Sequence, residues 1–154
     1  VVWVLEATAI AEIFELTSDA SKARAALSAA VSAGQVHFTD AVCKDIERID
    51  GADGPVCIWL TATRPLRSVT GPEYASTIYV AGVVPDLIDP DSPRGCVAEV
   101  AALAYELDLV APGGVTVVTE DVRDKTRMSL TTACAQLSLP AVQAAAFMTA
   151  LGIT

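Results

Sequence analysis

The sequence predicts an α/β domain built on a small, mainly parallel sheet. Two observations carry this expectation. Three short apolar runs, at 2–5, 36–39 and 115–119, have the length and β-branched character of buried strands. Long helical stretches separate them, and parallel strands need such crossovers. At 154 residues the chain has the length of one domain, 1–154, and can bury a real core. Apolar residues make up 53% of it and charged residues 19%, which excludes a disordered chain and suits buried strands with Ala-rich helices.

The elements follow in order. Residues 2–5 form the first strand, and a helix starts near Thr8 with Ile10, Ile13 and Phe14 on one side. Ser18 and Asp19 are N-cap candidates for an Ala-rich helix ending near Gly34. A second strand at 36–39 leads into a helix at 40–49, whose apolar side is Val42, Ile46 and Ile49. Gly51 and Gly54 stop that helix. Pro55 opens a short one through Trp59. The stretch 65–76 contains a turn, Pro72 within it opens a helix to about Val83, and 84–95 is a Pro/Asp-rich loop. The stretch 95–109 is strongly helical, with Val97, Val100, Ala104 and Leu107 as core candidates. After "APGG" comes the clearest strand, 115–119. Two short helices flank Pro140.

Composition narrows the function. A net charge of −9 argues against broad electrostatic binding of nucleic acid, yet leaves room for an enzyme whose carboxylates hold metal ions. Cys43, Cys57, Cys96 and Cys134 are scattered, without zinc-ligand spacing, and read as reduced core residues of a cytoplasmic protein. No secretory signal pattern opens the sequence. The uncharged run 128–154 is interrupted by polar residues and by Pro140, so it reads as two buried helices and not as a membrane span. His37, the only histidine, has no recognisable Ser or Cys partner and reads as structural. Trp3 and Trp59 read as core aromatics.

In open α/β sheets the site lies at the carboxyl ends of the strands. Glu6 follows the first strand there, and Glu120 and Asp121 follow the last. Asp45 and Glu99 lie at the edges of apolar helix faces. Taken singly, each acid has a plainer reading: a carboxylate at a helix N-terminus, or a solvated helix position. Taken together, converging carboxylates would raise one another's pKa unless cations neutralise them. Mg²⁺ or Mn²⁺ with oxygen ligands is the natural neutraliser. Arg123, Lys125 and Arg127 form a local basic cluster, readable as a solvated turn or as phosphate contacts beside the acids. Arg64 and Arg67 offer weaker candidates for the same role.

The order of these acids resembles a PIN domain, the metal-dependent ribonuclease fold of VapC-type toxins. The matching pieces are "LEAT" with Glu6, "VCKDI" with Asp45, "AEVAALAYEL" with Glu99, and Val118-Thr119-Glu120-Asp121. The C-terminal part resembles a PIN-like subgroup of unknown function, through the basic turn at 125–127, "MSLTTAC", and Leu151-Gly152-Ile153. The resemblance implies a three-layer α/β/α fold and Mg²⁺- or Mn²⁺-dependent endoribonuclease activity. It implies Glu6, Asp45, Glu99 and Asp121 as metal-holding catalytic acids, with Thr8, Thr119 and Glu120 as auxiliaries. It also implies an RNA substrate, a protein antitoxin and a homodimer. The family pattern has Asp where this chain has Glu6 and Glu99, and Glu where it has Asp45. Those one-methylene exchanges keep open an alternative: a catalytically inactive PIN-like domain that acts as a protein-interaction module.

Overall fold

The computed structural model describes residues 1–89 and 95–154. The domain is α/β, with a four-stranded, all-parallel sheet between helical layers. Strand β1 (Val2–Leu5) lies at the centre and pairs with β2 (Val36–His37) on one side and β3 (Val115–Val118) on the other. The outer strand β4 (Ala141–Val142) pairs with β3, giving the order β2-β1-β3-β4. In a strand, successive side chains point to opposite faces. Val4 and Leu5 are adjacent and both fully buried, as are Val117 and Val118, so the sheet is covered on both faces.

Eight α-helices lie among the described residues. They are α1 (Ala7–Leu16), α2 (Ala20–Ser32), α3 (Asp40–Asp50) and α4 (Pro55–Ala62), then α5 (Tyr74–Val83), α6 (Val97–Val110), α7 (Leu130–Gln136) and α8 (Ala144–Leu151). Asp19 caps α2 by accepting a bond from the Lys22 N–H, as its N-cap chemistry predicts. Helix α6 packs across β1 and β3, and Val100 through Ala104 on it are fully buried. Trp59 is buried against Phe14 and Phe38, and its indole N–H finds Ser28 Oγ at 2.9 Å. Trp3 meets Phe147 edge to face at 5.3 Å. No helix among the described residues is long and apolar enough to cross a membrane.

The structure corrects several boundaries. The second strand stops at His37, because Thr39 turns out of the ladder to cap α3 through the Val42 N–H. A fourth strand, unexpected from the sequence, follows Pro140, whose own carbonyl already accepts the Val117 N–H. Helix α5 begins at Tyr74, two residues beyond Pro72. Ile49 is 59% exposed and not core, since α3 runs past the packed region there. Leu107 is only partly buried. Within the Pro/Asp-rich stretch, Pro85–Leu87 is a 3-10 turn, and 90–94 lie outside the described residues.

Gly54 occupies the N-cap of α4, where Asp50 Oδ2 accepts the Val56 N–H at 3.0 Å. A Cβ at Gly54 would overlap both the Asp50 carboxylate and its carbonyl oxygen. Gly54→Ala should therefore destabilise the fold by about 1–3 kcal/mol, read as a lower urea midpoint with an unchanged slope.

Candidate functional site

Four expected acids reach one cavity at the carboxyl edge of the sheet. Glu6, Asp45, Glu99 and Asp121 all line a cleft of about 1300 Å³. Its walls come from the start of α1, one face of α3, the start of α6 and the loop after β3.

Glu6 ends β1 and is only 3% exposed. Burying an acid is costly unless donors surround it. Its Oε2 accepts a short bond from the Thr8 hydroxyl and another from Thr119 Oγ1 at 3.0 Å. Each hydroxyl has one proton to give. Having given it to Glu6, each takes a backbone N–H as acceptor: Glu120 for Thr8 at 3.1 Å, Asp121 for Thr119 at 3.0 Å. The two threonines thus fix Glu6 and the start of the loop after β3 together. Glu6 is also the N-cap residue of α1, but its side chain does not cap that helix.

Cys96 joins Glu6 to Asp45. Its thiol approaches Glu6 Oε1 at 3.6 Å, and its backbone N–H donates to Asp45 Oδ2 at 2.8 Å. Burial, with the nearby Glu6 carboxylate adding to it, pushes the thiol far above its ordinary range. It is therefore a proton donor and not a nucleophile. Asp45 also pairs with Arg48 one turn along α3. Asp121 Oδ2 accepts from Arg127 Nη1 at 2.7 Å and from the Leu130 N–H, the first of α7, at 2.8 Å. Glu99 makes no hydrogen bond or ion pair with its carboxylate among the described residues and is partly exposed in the cleft.

Glu120 goes elsewhere. Its two carboxylate oxygens accept from the Ala144 N–H at 2.7 Å and from Gln143 Nε2 at 2.9 Å, which spends the side chain on the N-terminus of α8. Arg123, Lys125 and Arg127 all line the cleft, the first two exposed. Arg67 does not. Its side chain is buried over the Phe38 ring at 4.4 Å and donates to Phe38 O and Asp40 Oδ1. His37 is partly buried, bonded to the Gly34 carbonyl at 3.0 Å, and burial lowers its pKa.

Sequence reasoning missed three contributors. Cys96 was read as core, yet it bridges two acids. Lys44 and Arg48 line the cleft from α3. Their signal was present in "KDIER", which puts a base just before Asp45 and another three residues after it, on the same side of the helix. Five of the chain's ten Lys and Arg residues therefore meet at this one cleft: Lys44, Arg48, Arg123, Lys125 and Arg127.

The donor chemistry of the acids, all carboxylate oxygen, suits a hard divalent ion. Their spacing does not form a ligand cluster: among the described residues, no three His, Cys, Asp or Glu side chains are grouped to hold one ion. No protein-family model matches the chain, and no curated protein matches it.

Three outcomes follow. Thr119→Val keeps the shape but removes a donor to Glu6 and an acceptor for the Asp121 N–H. It should cost about 2–3 kcal/mol by chemical denaturation. Cys96 and Cys134 are buried, and burial pushes the Cys134 thiol to about 12. A thiol reagent should reach at most two of the four cysteines before denaturation and all four after it. Asp124 accepts the Ser129 N–H and the Thr132 hydroxyl, and these bonds hold its carboxyl below the ordinary range. A depressed folded pKa stabilises above the unfolded value of about 3.9 and loses that effect as pH falls through the folded value. Asp124→Asn should accordingly lower the Tm at neutral pH, with the difference from wild type vanishing in strong acid.

Proposed function

We propose that the cleft binds the phosphodiester backbone of RNA and hydrolyses it with the help of Mg²⁺ or Mn²⁺. One observation carries this reading: half of the Lys and Arg residues of an acidic chain line the cleft that also holds Glu6, Asp45, Glu99 and Asp121. Five cations stand there among six carboxylates, Glu47 and Asp89 included, so the cleft is close to neutral in a chain of net charge −9 and repels an anionic ligand less than the chain's average surface does. The acids beneath them would repel such a ligand unless they serve its chemistry.

In this reading Arg123 and Lys125, exposed at the rim, contact the phosphates and fix the strand's position. Thr8 and Thr119 hold Glu6 in one rotamer. Glu6, Asp45, Glu99 and Asp121 would be the oxygen donors to a divalent ion, which requires them to draw together from the ungrouped positions they hold here. A bound ion would supply a water of lowered pKa and neutralise charge on the phosphate. The role of a toxin and an antitoxin partner rest on the resemblance to PIN domains alone.

A second reading has its own observation. Asp45, Glu120 and Asp121 each accept a backbone N–H at or near the start of a helix, as structural acids do. That favours a catalytically inactive module whose acids hold the fold and whose cleft binds a partner. A fluorogenic RNA assay separates the two. The enzyme reading expects Mn²⁺-dependent cleavage that chelation abolishes and that Glu6→Gln lowers at least about a hundredfold. Absent cleavage in Mn²⁺ would favour the module, and cleavage that survives both chelator and Glu6→Gln would overturn the assignment of the activity to these acids.

A further inference from the structure

We infer that the outer face of α5, continued by the end of α6, is a docking surface for a second copy of this chain. The inference goes beyond the reading of the cleft and does not rest on it. Helix α5 turns Ser76 and Val80 inward. Its outward side is apolar too: Tyr74 is 80% exposed, and Ile78, Tyr79 and Val83 are each at least 40% exposed. No charged residue occurs from Tyr74 to Val83. A helix apolar on both sides belongs in an interior, and this one is uncovered along its outer side. Helix α6 extends the face. Tyr105 stacks on Tyr79 with ring centroids 4.5 Å apart, and Leu109, one turn further along, is exposed. All three tyrosines of the chain therefore stand on one face, and tyrosine is a residue type that interfaces gather. Glu106, beside them on α6, is spent on the head of α5, where it accepts the Glu73 N–H at 2.9 Å and the Ser76 hydroxyl at 3.0 Å.

Charge, area and shape commit the face to a second copy. Each copy carries a net charge of −9, so two copies repel wherever acids face each other. The uncharged side of α5 is a surface on which they meet without that cost. The exposed parts of Tyr74, Ile78, Tyr79, Val83 and Leu109 come to roughly 600 Å² per copy, or about 1,200 Å² for a pair, and a specific contact needs about 1,000 Å². The shape is self-complementary. A two-fold axis at Ile78 sets the α5 helices of two copies antiparallel. Tyr74 stands four residues before that axis and Gly82 four after it, so each Tyr74 falls over the other copy's Gly82. Gly82 is exposed, with open space where a Cβ would stand, and forms the notch that this ring needs. Thr77 on the same helix lines the cleft, so the pair carries two clefts beside its interface.

Analytical ultracentrifugation up to millimolar protein tests this on wild type, Ile78→Lys, Gly82→Leu and Ile58→Lys, with circular dichroism as a check on folding. Wild type should show a concentration-dependent monomer–dimer equilibrium. Ile78→Lys places a charge against its own copy at the axis and should weaken the dimer at least about tenfold. Gly82→Leu fills the notch and should weaken it by a similar factor. That variant meets open space within one copy and replaces glycine by a better helix former, so the fold of the single copy is kept. Ile58→Lys makes the same change of net charge at an equally exposed isoleucine on α4 and should stay within about twofold of wild type. A chain that remains monomeric at every concentration overturns the inference. So does a dimer that Ile78→Lys and Gly82→Leu leave intact, or one that Ile58→Lys weakens as much as they do. Each of these results leaves the reading of the cleft as it stands, because none of the substituted residues lines it.

Discussion

A parallel sheet makes a demand at its carboxyl edge, and most of this molecule is arranged to meet it. Helices that return from parallel strands begin there, so their unpaired N–H groups converge on one side of the domain. Acids are the strongest acceptors available. Asp45 takes the Cys96 N–H at the head of α6, Asp121 takes the Leu130 N–H of α7, and Glu120 takes the Ala144 N–H of α8. The same solution recurs where Glu106 accepts the Glu73 N–H at the head of α5. The edge is acidic first because its helices require it.

Glu6 is the exception, and it exposes what structure alone does not require. It caps nothing, although it stands at the N-cap of α1. Two threonines and a thiol are committed to a side chain that a smaller apolar residue could replace in the core. A buried acid surrounded by donors is a costly arrangement that burial of apolar area would not select. Glu6 therefore separates the two meanings of the acidic edge more cleanly than Asp45 or Asp121, whose bonds serve both.

The strands at 2–5 and 115–118 were legible because unbroken β-branched runs can only be buried on both faces. The Asp19 cap and the helix at 97–110 were legible for equally local reasons. Strand β4 was not, since two residues after a proline carry no period and exist only by pairing with β3. The acids were legible as a group through strand order, but their partners were not. Glu120 and Asp121 are neighbours in sequence, yet one turns to α8 and the other to α7, a choice made by tertiary packing. Cys96 looked like any buried thiol because its bond to Asp45 spans 51 residues and its contact with Glu6 spans 90.

Cys96 also gives physical sense to the lengths of two acids. Glu6 carries one methylene more than Asp45. Both side chains end on the same residue: Glu6 Oε1 at the Cys96 thiol, Asp45 Oδ2 at the Cys96 N–H. An Asp at position 6 would draw its carboxyl back by about 1.5 Å, one carbon–carbon bond, and lose the thiol. A Glu at position 45 would push its carboxyl into the head of α6. The lengths of the two side chains thus suit the start of α6, which stands between them.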